Sequence, residues 1–213
     1  MKKSLFAVAL LGAGSLTATA IYAQDGQIPG AVDVSRVAAG SYTVDSAHTQ
    51  VGWRVSHFGF NDYLGLFGQI EGTMDLDPAK IEEAKFDLTI PINSVAVSSE
   101  GLKDHLLRPG KDGGAPDFFG PEPEPAKFVS TSVRRTGDTT ALVTGQLTMN
   151  GKTGPVAILV TFSGAGTNPM NQKATVGFEG RATIDRTQWG IDYAAPAIGR
   201  DVELNISVAF ERD

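Results

Sequence analysis

The sequence predicts an all-β domain, an antiparallel sheet that is closed into a barrel or folded into a sandwich. Apolar and polar residues alternate with a period of two along seven or eight segments, the mark of strands with one buried and one wet face. Asn150 and Gly151 stand between two such segments and favour a type I′ hairpin turn. One short stretch alone carries a helical period. At 213 residues, the chain has the length of one domain plus a leader.

The leader comes first. Lys2 and Lys3 precede an apolar stretch from Leu5 to Leu16, followed by small residues and a cleavage site at Ile21, Tyr22 and Ala23, with Ala18, Thr19 and Ala20 as the alternative. Residues 1–23 are therefore expected to be a secretory signal peptide. A membrane anchor is the weaker reading, because the stretch is short of the roughly 20 residues that span a bilayer and is broken by Gly12, Gly14 and Ser15. Residues 24–40 have no period and are expected as a flexible N-terminal arm, leaving 41–213 as the domain.

The strands follow in order. Val51, Trp53, Val55 and His57 alternate with polar residues and glycine in the first, and Ile70, Gly72, Met74 and Leu76 in the second. Phe86, Leu88 and Ile90 form the inward row of the third; Phe128 to Val133 alternates less cleanly. Val143, Gly145, Leu147 and Met149 lead into the Asn150–Gly151 turn, and Val156 to Phe162 beyond it is nearly all apolar. The last two rows are Phe178, Gly180, Ala182 and Ile184, then Val202, Leu204, Ile206 and Val208. The helix is read from about Ser98 to Leu107, with Leu102, His105 and Leu106 on one face and Pro109 ending it. A loop rich in glycine and proline, 109–125, carries Phe118 and Phe119, which should dock somewhere.

Several inward positions are very small: Gly72, Gly145, Gly180 and Ala182. Missing side chains in a barrel of about eight strands leave room for one ligand. The competing reading is that these glycines mark bends and bulges, and the sequence leaves both open. An apolar lumen suits a hydrocarbon chain, since each buried methylene contributes about 0.8 kcal/mol.

Charge and motifs exclude other classes. The formal net charge is −6, and −8 without Lys2 and Lys3, so nucleic acid is an unsuitable partner. The absence of cysteine excludes disulfides, thiolate metal sites and lipidation through a thioether. No G-x-S-x-G, H-E-x-x-H, Walker or dinucleotide motif occurs. The three histidines, His48, His57 and His105, lack metal spacing. His48 suits a local turn with Asp45, His57 continues an inward row, and His105 suits the last turn of the helix. A histidine-based or metal-dependent enzyme, with Asp45 or Asp104 near converging histidines, is the alternative to a binding protein. A ligand-free exported scaffold or stress protein is the third reading.

The residues carry a family resemblance. Tyr-Thr-Val-Asp-Ser-Ala-His at 42–48, Val-Ser-His-Phe-Gly at 55–59, Leu-Lys-Asp-His-Leu at 102–106 and Asp-Phe-Phe at 117–119 resemble the YceI family of exported lipocalin-like proteins. So do Ala-Lys-Phe-Val-Ser-Thr at 126–131, Gly-Gln-Leu-Thr-Met-Asn-Gly-Lys-Thr at 145–153 and Ile-Gly-Arg-Asp-Val-Glu-Leu at 198–204. The Gly-Lys-Asp-Gly-Gly run at 110–114 and the Gly-Pro-Glu-Pro-Glu-Pro run after Phe119 depart from the family pattern and put the pocket mouth in doubt. The resemblance implies an extended, eight-stranded antiparallel lipocalin-like barrel with a short side helix. It implies a periplasmic or secreted, non-enzymatic carrier of an isoprenoid lipid, quinone or precursor, in the lumen. No cofactor or metal, no stable membrane insertion and a monomer or homodimer are expected.

The expected ligand-binding residues come from the inward rows: Trp53, Val55 and His57; Ile70 and Met74; Phe86, Leu88 and Ile90; Val143 and Leu147; Phe178, Ala182 and Ile184. Leu102, His105 and Leu106 are expected from the helix and Phe118 and Phe119 from the loop, with His57 and His105 as polar contacts.

Overall fold

In the computed structural model, which describes residues 28–213, the alternating segments form strands. They are β1 (Gly40–Val44), β2 (Gln50–His57), β3 (Asn61–Phe67), β4 (Glu71–Leu76), β5 (Lys85–Ile90), β6 (Ala126–Arg135), β7 (Thr140–Met149), β8 (Lys152–Thr167), β9 (Ala174–Asp185) and β10 (Ile198–Arg212). Helix α1 (Glu100–Leu107) lies between β5 and β6. The expected leader, 1–23, and the start of the expected arm fall outside the described residues.

The sheet closes. Its order is β1-β4-β5-β6-β7-β8-β9-β10, with β10 returning to β1, so eight antiparallel strands make a ring. The two further strands lengthen that ring. β10 pairs with β1 through Phe210 to Arg212 and with β2 over Ile198 to Ser207, so β1 and β2 are two halves of one bent stave. β3 and β4 are likewise two halves of the stave beside it. The bend between β1 and β2 is fastened by Thr49, whose buried hydroxyl accepts a hydrogen bond from the Ala209 N–H at 3.2 Å. On the bend between β3 and β4, the Gly68 N–H donates to Ser94 Oγ at 3.1 Å.

Local chemistry fixes the corners. Asn150 and Gly151 both take left-handed backbone angles (φ 50° and 71°), as the Asn-Gly pair favours, and join β7 to β8. Ser99 caps α1 by accepting the Leu102 N–H at 3.2 Å. The segment from Ile28, expected as a loose arm, lies along β8, with Ala31 and Ala165 exchanging backbone hydrogen bonds of 3.1 and 2.9 Å.

The barrel has two unequal halves. Toward the β1 end the interior is packed, with Tyr42, Met74, Val176 and Phe210 fully buried. There Phe86 is tilted against Phe210 and Phe178 meets it edge-on, with ring centroids 6.1 and 6.2 Å apart. Toward the β2 end, Trp53, Val55, Val202, Leu204 and Ile206 point inward yet are only half buried, because they face a void.

The small inward residues do not create that void. A Cβ on Gly145 would land on the Phe128 ring and the Val129 carbonyl, and one on Gly72 would strike the β5 backbone. One on Gly180 would press against the Ile158 and Ile206 side chains. These glycines admit close neighbours, and the cavity exists for a different reason.

Candidate functional site

The cavity measures about 440 Å³, within the range of small-molecule sites, and its wall is almost wholly apolar. Four constructions make it. The inward rows of β2 and β10 supply one wall and those of β5, β7 and β8 the other. Among the described residues the outer edge of β3 pairs with no strand and only Leu66 is bridged, to Ala96, so the ring is completed here by α1 and the loop after it. The segment between β9 and β10 folds over the end and adds Ile191, Tyr193 and Ala194.

Most of the expected residues reach this cavity. Trp53, Val55, His57, Ile70, Leu88 and Ile90 line it, as do Leu147 and Ile184. Leu102, His105 and Leu106 present the helix face that the i, i+3, i+4 spacing placed together, and Phe118 and Phe119 dock beside them. Others do not reach it. Phe86, Val143 and Phe178 surround a separate space of about 50 Å³ in the packed half. Met74 is fully buried, and Ala182 packs against the core without bordering either space. Period-two alternation says which face is inward but not how far along the stave the void extends.

Residues outside the expected set complete the wall. Tyr63 and Phe67 belong to β3, where Asn-Asp-Tyr-Leu-Gly-Leu-Phe gives a broken alternation. Tyr193 and Arg186 come from a segment with no period at all.

Arg186 is 5% exposed, and its guanidinium donates to four backbone carbonyls: Gly199 (2.7 Å), Ile191 (2.6 Å), Ile198 (2.8 Å) and Tyr193 (3.1 Å). Burial pulls its pKa below the ordinary value, while Asp192 and Asp185 push it back up. Arg186 thus ties the β9–β10 segment into a lid with a charge at its back.

Polar groups gather at this end. His105 Nε2 faces Asp117 Oδ2 at 2.8 Å, so in the neutral ring Nε2 carries the proton and Nδ1 remains an acceptor. Arg108 meets the same carboxylate oxygen at 2.7 Å, and the two donors hold the Asp117 carboxyl below the usual carboxylate range, Arg108 more than His105. The His105 ring stands edge-on to Phe118 and Tyr193, with centroids 5.2 and 5.0 Å away. His57 is edge-on to Phe58 and Tyr63. Trp53 Nε1 is buried and has no hydrogen-bond partner among the described residues. His48, by contrast, lies outside the cavity wall and pairs with Asp45 at 2.7 Å, in a local turn. Among the described residues, no three His, Asp or Glu side chains are grouped as metal ligands. Also among the described residues, no helix is long and apolar enough to cross a membrane.

Comparison with known proteins agrees with this construction. Residues 42–210 match the YceI-like domain. A UPF0312 protein of Pseudomonas putida is 35% identical over 173 residues, 80% of this chain and 85% of the relative. Among solved structures, BcnA of Burkholderia cenocepacia superposes with a TM-score of 0.65 at 24% identity, over 78% of this chain and 98% of its own. A polyisoprenoid binding domain from Saccharophagus degradans, implicated in plant cell wall breakdown, superposes with a TM-score of 0.55 at 12% identity, over 81% and 98%. The closed antiparallel ring with its side helix, and the match across nearly the whole described domain, make this chain a member of the YceI-like family.

Proposed function

We propose that the protein binds a long-chain isoprenoid lipid, quinone or precursor in type, in the barrel lumen and carries or sequesters it free in an extracytoplasmic space. The observation that carries this reading is the apolar cavity of about 440 Å³, with His57, Tyr63, His105 and Tyr193 in its wall. Each buried isoprene unit contributes about 3 to 4 kcal/mol, and micromolar affinity needs about 8 kcal/mol net of association costs. About three or four units suffice without a strong polar contact.

The head group belongs at the end where His57, Tyr63 and Tyr193 line the wall, since their polar atoms make no side-chain hydrogen bond among the described residues. A quinone carbonyl there would accept what those side chains donate. The fold shared with a polyisoprenoid binding domain supports the same ligand class. The reading needs no catalytic step, and no residue is assigned one.

Native mass spectrometry of protein purified from its own compartment, followed by organic extraction, tests the reading. An isoprenoid lipid released in near-stoichiometric amount is the expected result; protein that is ligand-free and takes up no added polyprenyl probe overturns it.

A further inference from the structure

We propose that the turn joining β2 to β3 is a membrane-docking tip that sets the cavity mouth against a lipid bilayer; the proposal rests on the carrier reading for its purpose but not for its test. Phe60 at this turn is 89% exposed, Phe58 54% and Leu64, on the outer face of β3, 63%. Phe58 also lines the cavity, so one side chain joins the lumen to the outside and Phe60 continues that apolar surface. Tyr193, part exposed, borders the same opening.

The backbone supports a role for the tip. Phe58 and Gly59 take consecutive left-handed angles, φ 53° and 71°, closed by a 3.1 Å bond from the Phe60 N–H to the His57 carbonyl. Asparagine or glycine adopts the first of these angles with least strain, yet an aromatic ring stands there. The stretch 56–61 contains no Asp, Glu, Lys or Arg, and the first charge beyond it, Asp62, is paired with Arg54. The tip can therefore enter the interfacial layer without burying an unpaired charge.

The area argues for lipid over protein. Two rings and one leucine, partly exposed, offer roughly half of the 800 Å² that each partner gives a stable protein interface. A bilayer asks for no matching surface, only apolar area at the right depth. A ligand of several isoprene units also has its source there, being apolar throughout its tail.

Flotation with phosphatidylcholine vesicles tests this, using the purified protein and its Phe60→Asp and Leu64→Asp variants with identical N-termini and no added ligand. The parent protein should float with the vesicles, equally in low and high salt, and Phe60→Asp should lower the bound fraction about tenfold. Uptake of a fluorescent polyprenyl probe from the same vesicles should slow in step, while its uptake from cyclodextrin stays unchanged. No vesicle binding, or binding indifferent to Phe60 and Leu64, overturns the proposal. A dimer in sedimentation that Phe60→Asp dissolves also overturns it, by naming a second copy as the occupant. Failure of every form to take the probe from cyclodextrin sinks the carrier reading instead, and Phe60-dependent flotation then still upholds docking.

Discussion

At the scale of single residues, two adjacent side chains where β9 ends have consequences that burial and charge make specific. Arg186 holds four backbone carbonyls and pairs with no carboxylate among the described residues, so its removal leaves several buried acceptors unpaired. Arg186→Met should lower stability by about 3 to 5 kcal/mol in urea unfolding, and Arg186→Lys should recover little, because an ammonium lacks the planar fork. Asp185 acts through pH. Thr187 and Arg200 hold its carboxyl down from the ordinary 3.8 to about 2. A depressed folded pKa stabilises the fold above the unfolded value and loses that contribution as acid protonates the group. The urea midpoint should therefore hold above about pH 5 and fall between about pH 4 and pH 2, with Asp185→Asn lower at neutral pH and flatter across that window. A parallel shift of both proteins would remove Asp185 as the cause.

At the scale of elements, α1 and the loop after it form a removable panel in the wall. They fill the gap beside β3, where Phe119 stands edge-on to Phe67, and one carboxylate, Asp117, ties the loop to the helix by binding His105 on α1 and Arg108 beyond its end. Asp117→Asn should speed the release of bound polyprenyl probe severalfold in stopped-flow exchange while leaving the thermal midpoint within a few degrees. Unchanged release would show that the panel is held by Phe118 and Phe119 packing alone. Elements differed in how legible they were. Strong alternation gave β2, β4, β5, β7, β9 and β10, and the i, i+3, i+4 spacing gave α1 with its cavity face. β3 lacks that signal, since Tyr63, Gly65 and Phe67 point inward with a glycine between two aromatics, and that glycine is where the Trp53 ring lies. The lid residues Ile191 and Tyr193 carry no local signal, because Arg186 places them from a distance.

At the scale of the whole molecule, the same inward alternation produces a packed half and a hollow half, and substitutions should separate them. Leu204→Trp reaches into the cavity, so it should weaken polyprenyl binding at least tenfold with the thermal midpoint unchanged or raised. Val176→Leu enlarges a side chain in the packed half and should destabilise by about 1 to 3 kcal/mol while leaving affinity alone. Equal effects on binding and stability from both would mean that the two halves are one core.

Ring closure has a consequence for timing. The strand that completes the circle is the last one made: β10 borders β9, β1 and β2, and Thr43 Oγ1 donates to Asp213 Oδ1 at 2.6 Å across 170 residues of sequence. A chain ending before Ile198 keeps two open strand edges and encloses nothing. Contacts so distant in sequence form slowly, because the intervening chain must first surrender its freedom. An enclosed interior therefore waits on β10: a chain that stops short of it has no cavity to fill, and loss of this fifteen-residue strand abolishes the vessel rather than trimming it.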